Sequence, residues 1–113
     1  VMTPIHSLEQ LRERISSHAM VLVYLSRPDC SVCTALRPAI AGIIDEIPEA
    51  ESWYVDLDAF PEAAGAYSIF AVPGVLVFVD GRETIREARF VHTEELAARL
   101  ARLRELRFSG AEA

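Results

Sequence analysis

The chain's only two cysteines, Cys30 and Cys33, stand two residues apart at the junction of two different hydrophobic patterns. Upstream, Met20-Val21-Leu22-Val23-Tyr24-Leu25 is an unbroken apolar run of strand length; downstream, Leu36, Ile40, Ile43, Ile44 and Ile47 recur at helical spacing. A buried strand therefore hands over to a helix across Arg27-Pro28-Asp29-Cys30-Ser31-Val32-Cys33. Pro28 biases Arg27 toward extended backbone, and Asp29 is expected to cap the helix that opens at Cys30. The first N–H groups of a helix lack internal partners and carry partial positive charge, so they stabilise a thiolate. The thiolate is the species that attacks disulfides. Cys30 is the better placed of the two, and the spacing brings both sulfurs to one turn. Cys33 can then attack a mixed disulfide formed at Cys30 and release the partner. Two other readings compete, an inert pair of small buried hydrophobes and half of a four-ligand zinc site. Zinc needs two further ligands, and His6, His18 and His92 lie in unrelated places, so no metal is expected; His6 and His18 read as surface histidines.

The remaining segments alternate in type. Ile5-His6 reads as a short edge strand, and Ser7 with Gln10 makes a capping-box pattern ahead of Leu8, Leu11 and Ile15. Pro48 closes the helix after the cysteines, and Trp53 to Leu57 is a second strand. Asp58 and Pro61 open a short alanine-rich helix. Val75 to Val79 is a third apolar strand, joined by Asp80-Gly81 to an antiparallel partner over Thr84 to Val91. Thr93, Glu94 and Glu95 start a last helix carrying a core stripe of Leu96, Leu100, Leu103 and Leu106, and Ser109 to Ala113 is expected to fray.

With this order of elements in place, the chain resembles the thioredoxin family over about Ile5 to Leu106, since CxxC beside a βαβ pattern carries that reading. Pro38 matches the proline that kinks the family's active-site helix. Tyr67-Ser68-Ile69-Phe70-Ala71-Val72-Pro73 resembles the segment ending in the family's cis-proline, and Leu76-Val77-Phe78 and Gly81 match the next strand and turn. The resemblance implies an α/β thioredoxin-like fold, a central mixed β-sheet flanked by helices on both faces. It also implies a thiol–disulfide oxidoreductase with Cys30 as nucleophile and Cys33 as resolving residue. On the same ground Val72, Pro73 and Gly74 would form the substrate groove, with Val72-Pro73 cis. No cofactor is implied beyond a redox-active Cys30–Cys33 disulfide. The partners implied are disulfide-containing client proteins and a thioredoxin reductase.

Several positions depart from the family pattern. Asp29 stands where Trp is usual, Ser31-Val32 replaces Gly-Pro, Thr34 replaces a basic residue and Gly74 follows the proline where Thr is common. Tyr24 occupies the place of a buried carboxylate thought to help deprotonate the resolving thiol, and no proton-carrying or orienting role is assigned to its phenol. The alternatives are a glutaredoxin-like enzyme using glutathione, for which a basic anchor and a Gly-Gly pair are missing, and a non-catalytic binding module with the cysteines as a passive clip.

Size and charge narrow the field further. At 113 residues one domain, 1–113, is expected. The net charge of −6 offers no basic excess to displace counterions from a phosphate backbone, so nucleic acid is not an expected partner. Ala19 to Leu25 and Val75 to Val79 are too short to span a bilayer. His6, Glu9, Gln10 and Arg12 interrupt any secretory pattern at the start, and with Met2 read as the natural start a monomeric cytoplasmic protein is expected.

Overall fold

The computed structural model describes residues 2–109. Its elements run in the order β1 (Thr3–Pro4), α1 (Leu8–Ser17), β2 (Met20–Ser26), α2 (Ser31–Asp45), β3 (Ala50–Asp56), α3 (Glu62–Tyr67), β4 (Gly74–Val79), β5 (Arg82–Ala88) and α4 (Thr93–Arg104). A π-helical turn over Glu105–Ser109 follows α4. The strands form one sheet in the order β1-β3-β2-β4-β5, with β1, β3 and β2 parallel and β4 and β5 each antiparallel to its neighbour.

The central strand sorts the core. Side chains alternate along a strand, so Val21, Val23 and Leu25 of β2 face one side with Leu11, Ile15, Val55, Ala63, Ile69 and Leu76. Met20, Leu22 and Tyr24 face the other with Ile40, Ile44, Val75, Val77, Leu96 and Leu100. Thus α1 and α3 cover one face and α2 and α4 the other, as the resemblance implies. Pro38 lies inside α2, where a proline costs about 3 kcal/mol or more. Ile40 and Ile44 are buried on the same helix at about 1.5–3 kcal/mol each, enough to hold it together across the proline.

Local chemistry moves several boundaries. The edge strand is Thr3–Pro4 rather than Ile5-His6. Ile5 N–H still donates to Tyr54 O at 3.1 Å, but His6 N–H is taken by Gln10 Oε1 at 2.6 Å, because the cap of α1 already claims this stretch. Ser7 does cap α1, its Oγ accepting from Gln10 N–H at 3.0 Å. Asp80 and Gly81 both take positive φ, 51° and 81°, which suits a tight hairpin turn. The partner strand is Arg82–Ala88, because Arg89 at φ 72° turns the chain before Val91. Leu106 leaves the leucine stripe and is 58% exposed, since the π turn rotates it off the α4 face. Of the stretch expected to fray, residues 110–113 lie outside the described residues.

Candidate active site

The first turn of α2 presents the two cysteines unequally. Cys30 is the N-cap, with extended backbone (φ −90°, ψ 100°), and it is partly exposed; Cys33, one turn in, is fully buried. They form a disulfide with Cα atoms 5.2 Å apart, within the ordinary range for such a bridge. Cys33 N–H donates to Cys30 Sγ at 3.1 Å, and Thr34 N–H donates to Cys30 O at 3.1 Å. The Cys30 sulfur thus occupies the acceptor position that a capping Ser or Asp side chain normally fills. In the reduced protein a thiolate there faces the positive end of the helix.

Asp29 was expected in that capping role, and the structure gives it to Cys30 instead. Cys30 N–H donates to Arg27 O at 3.1 Å, closing a turn with Pro28 and Asp29 at its centre. The turn delays the helix by one residue and leaves the Asp29 side chain exposed. Arg27 reaches across to Asp58, Nη1 to Oδ1 2.8 Å. Ser31 and Val32, between the cysteines, are exposed, Val32 by 61%.

Beneath the turn lies Tyr24, wholly buried on the α2 face of β2. Its hydroxyl donates to the backbone carbonyl of Cys33 at 2.6 Å. Burial first, then the neighbouring Tyr54, pushes its pKa up to about 12, while the Arg37 guanidinium acts in the opposite direction. A phenol so held is a fixed donor, and the orienting contact was not foreseen from the sequence. The signal was present: Tyr24 shares the even positions of β2 with Met20 and Leu22, which face α2.

The proline segment meets the cysteines through strand register. Gly74 of β4 pairs with Leu25 of β2, so Pro73 lies level with the end of β2, from which the chain leads to Cys30. Val72-Pro73 is cis. Pro73 is buried and its carbonyl accepts from Arg89 N–H at 2.7 Å; Val72 is half-buried against the α1/α3 side of the core. Gly74 is buried, and a Cβ there would sit 2.8 Å from Ile69 Cγ2, so packing alone accounts for a glycine. Phe70, three residues before Pro73, and Phe90, next to the Arg89 whose N–H bonds Pro73 O, are 73% and 67% exposed and were not singled out from the sequence. Large apolar side chains left in solvent are what marks them in the structure.

The histidines do not join the cysteines. His18 Nε2 lies 2.6 Å from Glu51 Oε2, within a cluster that includes Arg14 and Trp53, and His92 Nδ1 lies 3.9 Å from Glu87. Among the described residues no three His, Cys, Asp or Glu side chains are grouped to hold a metal ion. No described helix is long and apolar enough to cross a membrane.

A mixed sheet that presents a helix-capping cysteine, disulfide-bonded to a buried one a turn later, defines a thiol–disulfide oxidoreductase. Residues 3–102 match the family model for thioredoxin. The chain is 41% identical over 105 residues to the thioredoxin-like protein YdfQ of Bacillus subtilis, covering 93% of this chain and 94% of that one. It is 31% identical over 85 residues to thioredoxin of Chlamydia trachomatis, covering 75% and 82%. Among solved structures, Fasciola hepatica thioredoxin superposes with a TM-score of 0.76 at 28% identity, covering 89% of this chain and 98% of that one. Thioredoxin from Trypanosoma brucei brucei gives 0.82 at 17% identity, covering 91% and 90%, a likeness of fold. The chain belongs to the thioredoxin family.

Proposed function

We propose that this oxidoreductase works on exposed disulfides of client proteins by an ordered exchange. The Cys30 thiolate attacks one client sulfur, and the other leaves as a thiolate. Cys33 then attacks Cys30 Sγ, closing the Cys30–Cys33 disulfide and releasing the second client sulfur. Two electrons pass from the dithiol to the client disulfide. The observation that carries this order is the asymmetry of the pair: Cys30 is partly exposed at a helix N-cap, whereas Cys33, one turn in, is 0% exposed. Val72-Pro73, with Phe70 just before it in the chain and Phe90 next to the Arg89 that bonds Pro73 O, is the proposed docking surface for the client. Its exposed apolar side chains, with Val32 between the cysteines, suit the apolar flanks of an opened client segment.

On this reading the protein is a monomer in the cytoplasm, where a thioredoxin reductase returns the disulfide to the dithiol. That placement is supported by the pair's exchange-type geometry, since reducing compartments favour catalytic over structural disulfides. Replacing Cys33 by Ser tests the order, because it removes the escape route. Cys33→Ser should accumulate reductant-sensitive mixed disulfides with client proteins through Cys30, while Cys30→Ser should give few. Equal trapping by both variants defeats the order. No trapping by either, with clients still held by the double Ser variant, would establish a docking module instead.

A further inference from the structure

Tyr24 is a buried side chain with a polar group beneath the α2 turn for which the exchange cycle, as described, has no use. It sits in β2, fully buried, and spends its hydroxyl on a backbone carbonyl that already has a helical role. In an α-helix the carbonyl of Cys33 accepts from the amide four residues on, that of Arg37. A second donor to the same oxygen is therefore not needed to satisfy it. What the bond does is tie the residue that carries the resolving sulfur to the most buried strand of the sheet.

We infer that Tyr24 is the positioning residue of the resolving half-reaction: its hydroxyl, 2.6 Å from Cys33 O, holds Cys33 within reach of Cys30 after the disulfide has opened. The inference rests on Cys33 being the resolving residue, as proposed above. While the disulfide is closed, the S–S bond itself fixes the first turn, and the Tyr24 bond adds little constraint. When the client occupies Cys30, that covalent tie is gone. The first turn of α2, with Cys33 buried in it, then loses its covalent brace, and α2 lacks one backbone hydrogen bond at Pro38, whose missing N–H leaves the Thr34 carbonyl without its helical partner. The Tyr24 bond is a directional anchor between the first turn and the sheet beside the apolar packing, and it keeps the effective concentration of Cys33 at the mixed disulfide high.

The same geometry limits Tyr24 to positioning. The step forms a bond between Cys33 Sγ and Cys30 Sγ and breaks the bond between Cys30 Sγ and the client sulfur. Cys33 gives up its proton to water, and the departing client thiolate takes one from water. Tyr24 has no part in either transfer, because its proton is committed to the Cys33 carbonyl and the carbonyl cannot relay it. Its neighbours on that face support the same conclusion: Tyr54, tilted 38° at 6.3 Å, and Arg37, stacked 3.9 Å over Tyr54, are not carboxylates.

Tyr24→Phe removes the hydroxyl and keeps the ring. Reaction of the reduced protein with 5,5′-dithiobis(2-nitrobenzoate) separates the two steps: a bimolecular release of thionitrobenzoate on attack by Cys30, then a unimolecular release on attack by Cys33. The variant should leave the first phase unchanged and slow the second by about fivefold, the weight of one net hydrogen bond. The disulfide–dithiol equilibrium against glutathione should move toward the dithiol by a similar factor, about 20 mV less reducing. The pH profile of the second phase should keep its shape. An unchanged second phase and equilibrium overturn the inference, and so does a profile that loses an ionisation, which would make the phenol a proton carrier. The equilibrium does not depend on which cysteine attacks first, so failure of the proposed order shows in the Ser variants and not here.

Discussion

Gly74→Ala tests whether packing or client binding demands the glycine after Pro73. A Cβ at 74 would lie 2.8 Å from Ile69 Cγ2 and 3.5 Å from both Ile69 Cδ1 and Leu25 Cβ. The closest of these atoms is a methyl on the branched Cβ of a wholly buried isoleucine, so it moves only if Ile69 changes χ1 or its backbone shifts. Overpacking of this kind costs about 1–3 kcal/mol, offset by about 0.4–1 kcal/mol because alanine restricts the unfolded chain. The expected net loss is about 1–2 kcal/mol, or about 4–8 °C in Tm for a chain of this length. Gly42→Ala is the internal control, since nothing lies within 4 Å of a Cβ there and the residue is inside α2. It should stabilise by about 0.5–1 kcal/mol. Urea unfolding of the two variants should therefore give shifts of opposite sign for the same chemical change. In an Ile69→Ala background the Gly74→Ala penalty should shrink by about 1 kcal/mol, because the obstructing methyl is gone. A Gly74→Ala protein as stable as the parent, or a penalty that stays the same in the Ile69→Ala background, would refute the packing argument.

Two further outcomes concern charge. Burial raises the Glu51 pKa, but hydrogen bonds from Arg14 and Trp53 and the charges of His18 and Arg14 outweigh it and hold the carboxyl below its ordinary 4.5. A carboxyl lowered by folding adds stability above its unfolded pKa and loses it as pH falls through the folded value. Urea midpoints should therefore drop as pH falls below about 4.5, and Arg14→Ala should flatten that acid limb while lowering the plateau at neutral pH. In the reduced protein the exposed Asp29 carboxylate disfavours the Cys30 thiolate, and Arg27, engaged with Asp58, offsets little of this. Alkylation rates against pH should place the Cys30 pKa lower in Asp29→Ala, and an unchanged or higher value rejects the effect.

What was legible in the sequence is what hydrophobic periodicity and turn chemistry specify directly. The run Met20 to Leu25 became the fully buried central strand because a strand covered on both faces has no polar positions to show. Asp80-Gly81 gave the hairpin because its turn needs positive φ at both residues. The misplaced features are those decided by competition among neighbours. Asp29 has the better intrinsic claim to cap α2, but the Arg27–Cys30 turn puts the cysteine at the helix start, where its sulfur takes the donor instead. Leu106 keeps perfect helical spacing from Leu103, yet the switch to π geometry at Glu105 carries it into solvent. His18 looked isolated because its partner Glu51 is remote in sequence and comes alongside only when β3 packs beside α1. The Tyr24–Cys33 contact belongs to the same class. Strand alternation fixes the face toward which Tyr24 points, but which backbone group waits there depends on where α2 begins. That start is set by the turn at Pro28, so one local choice at residues 27–30 decides both the amide that the Cys30 sulfur caps and the carbonyl that the Tyr24 hydroxyl meets.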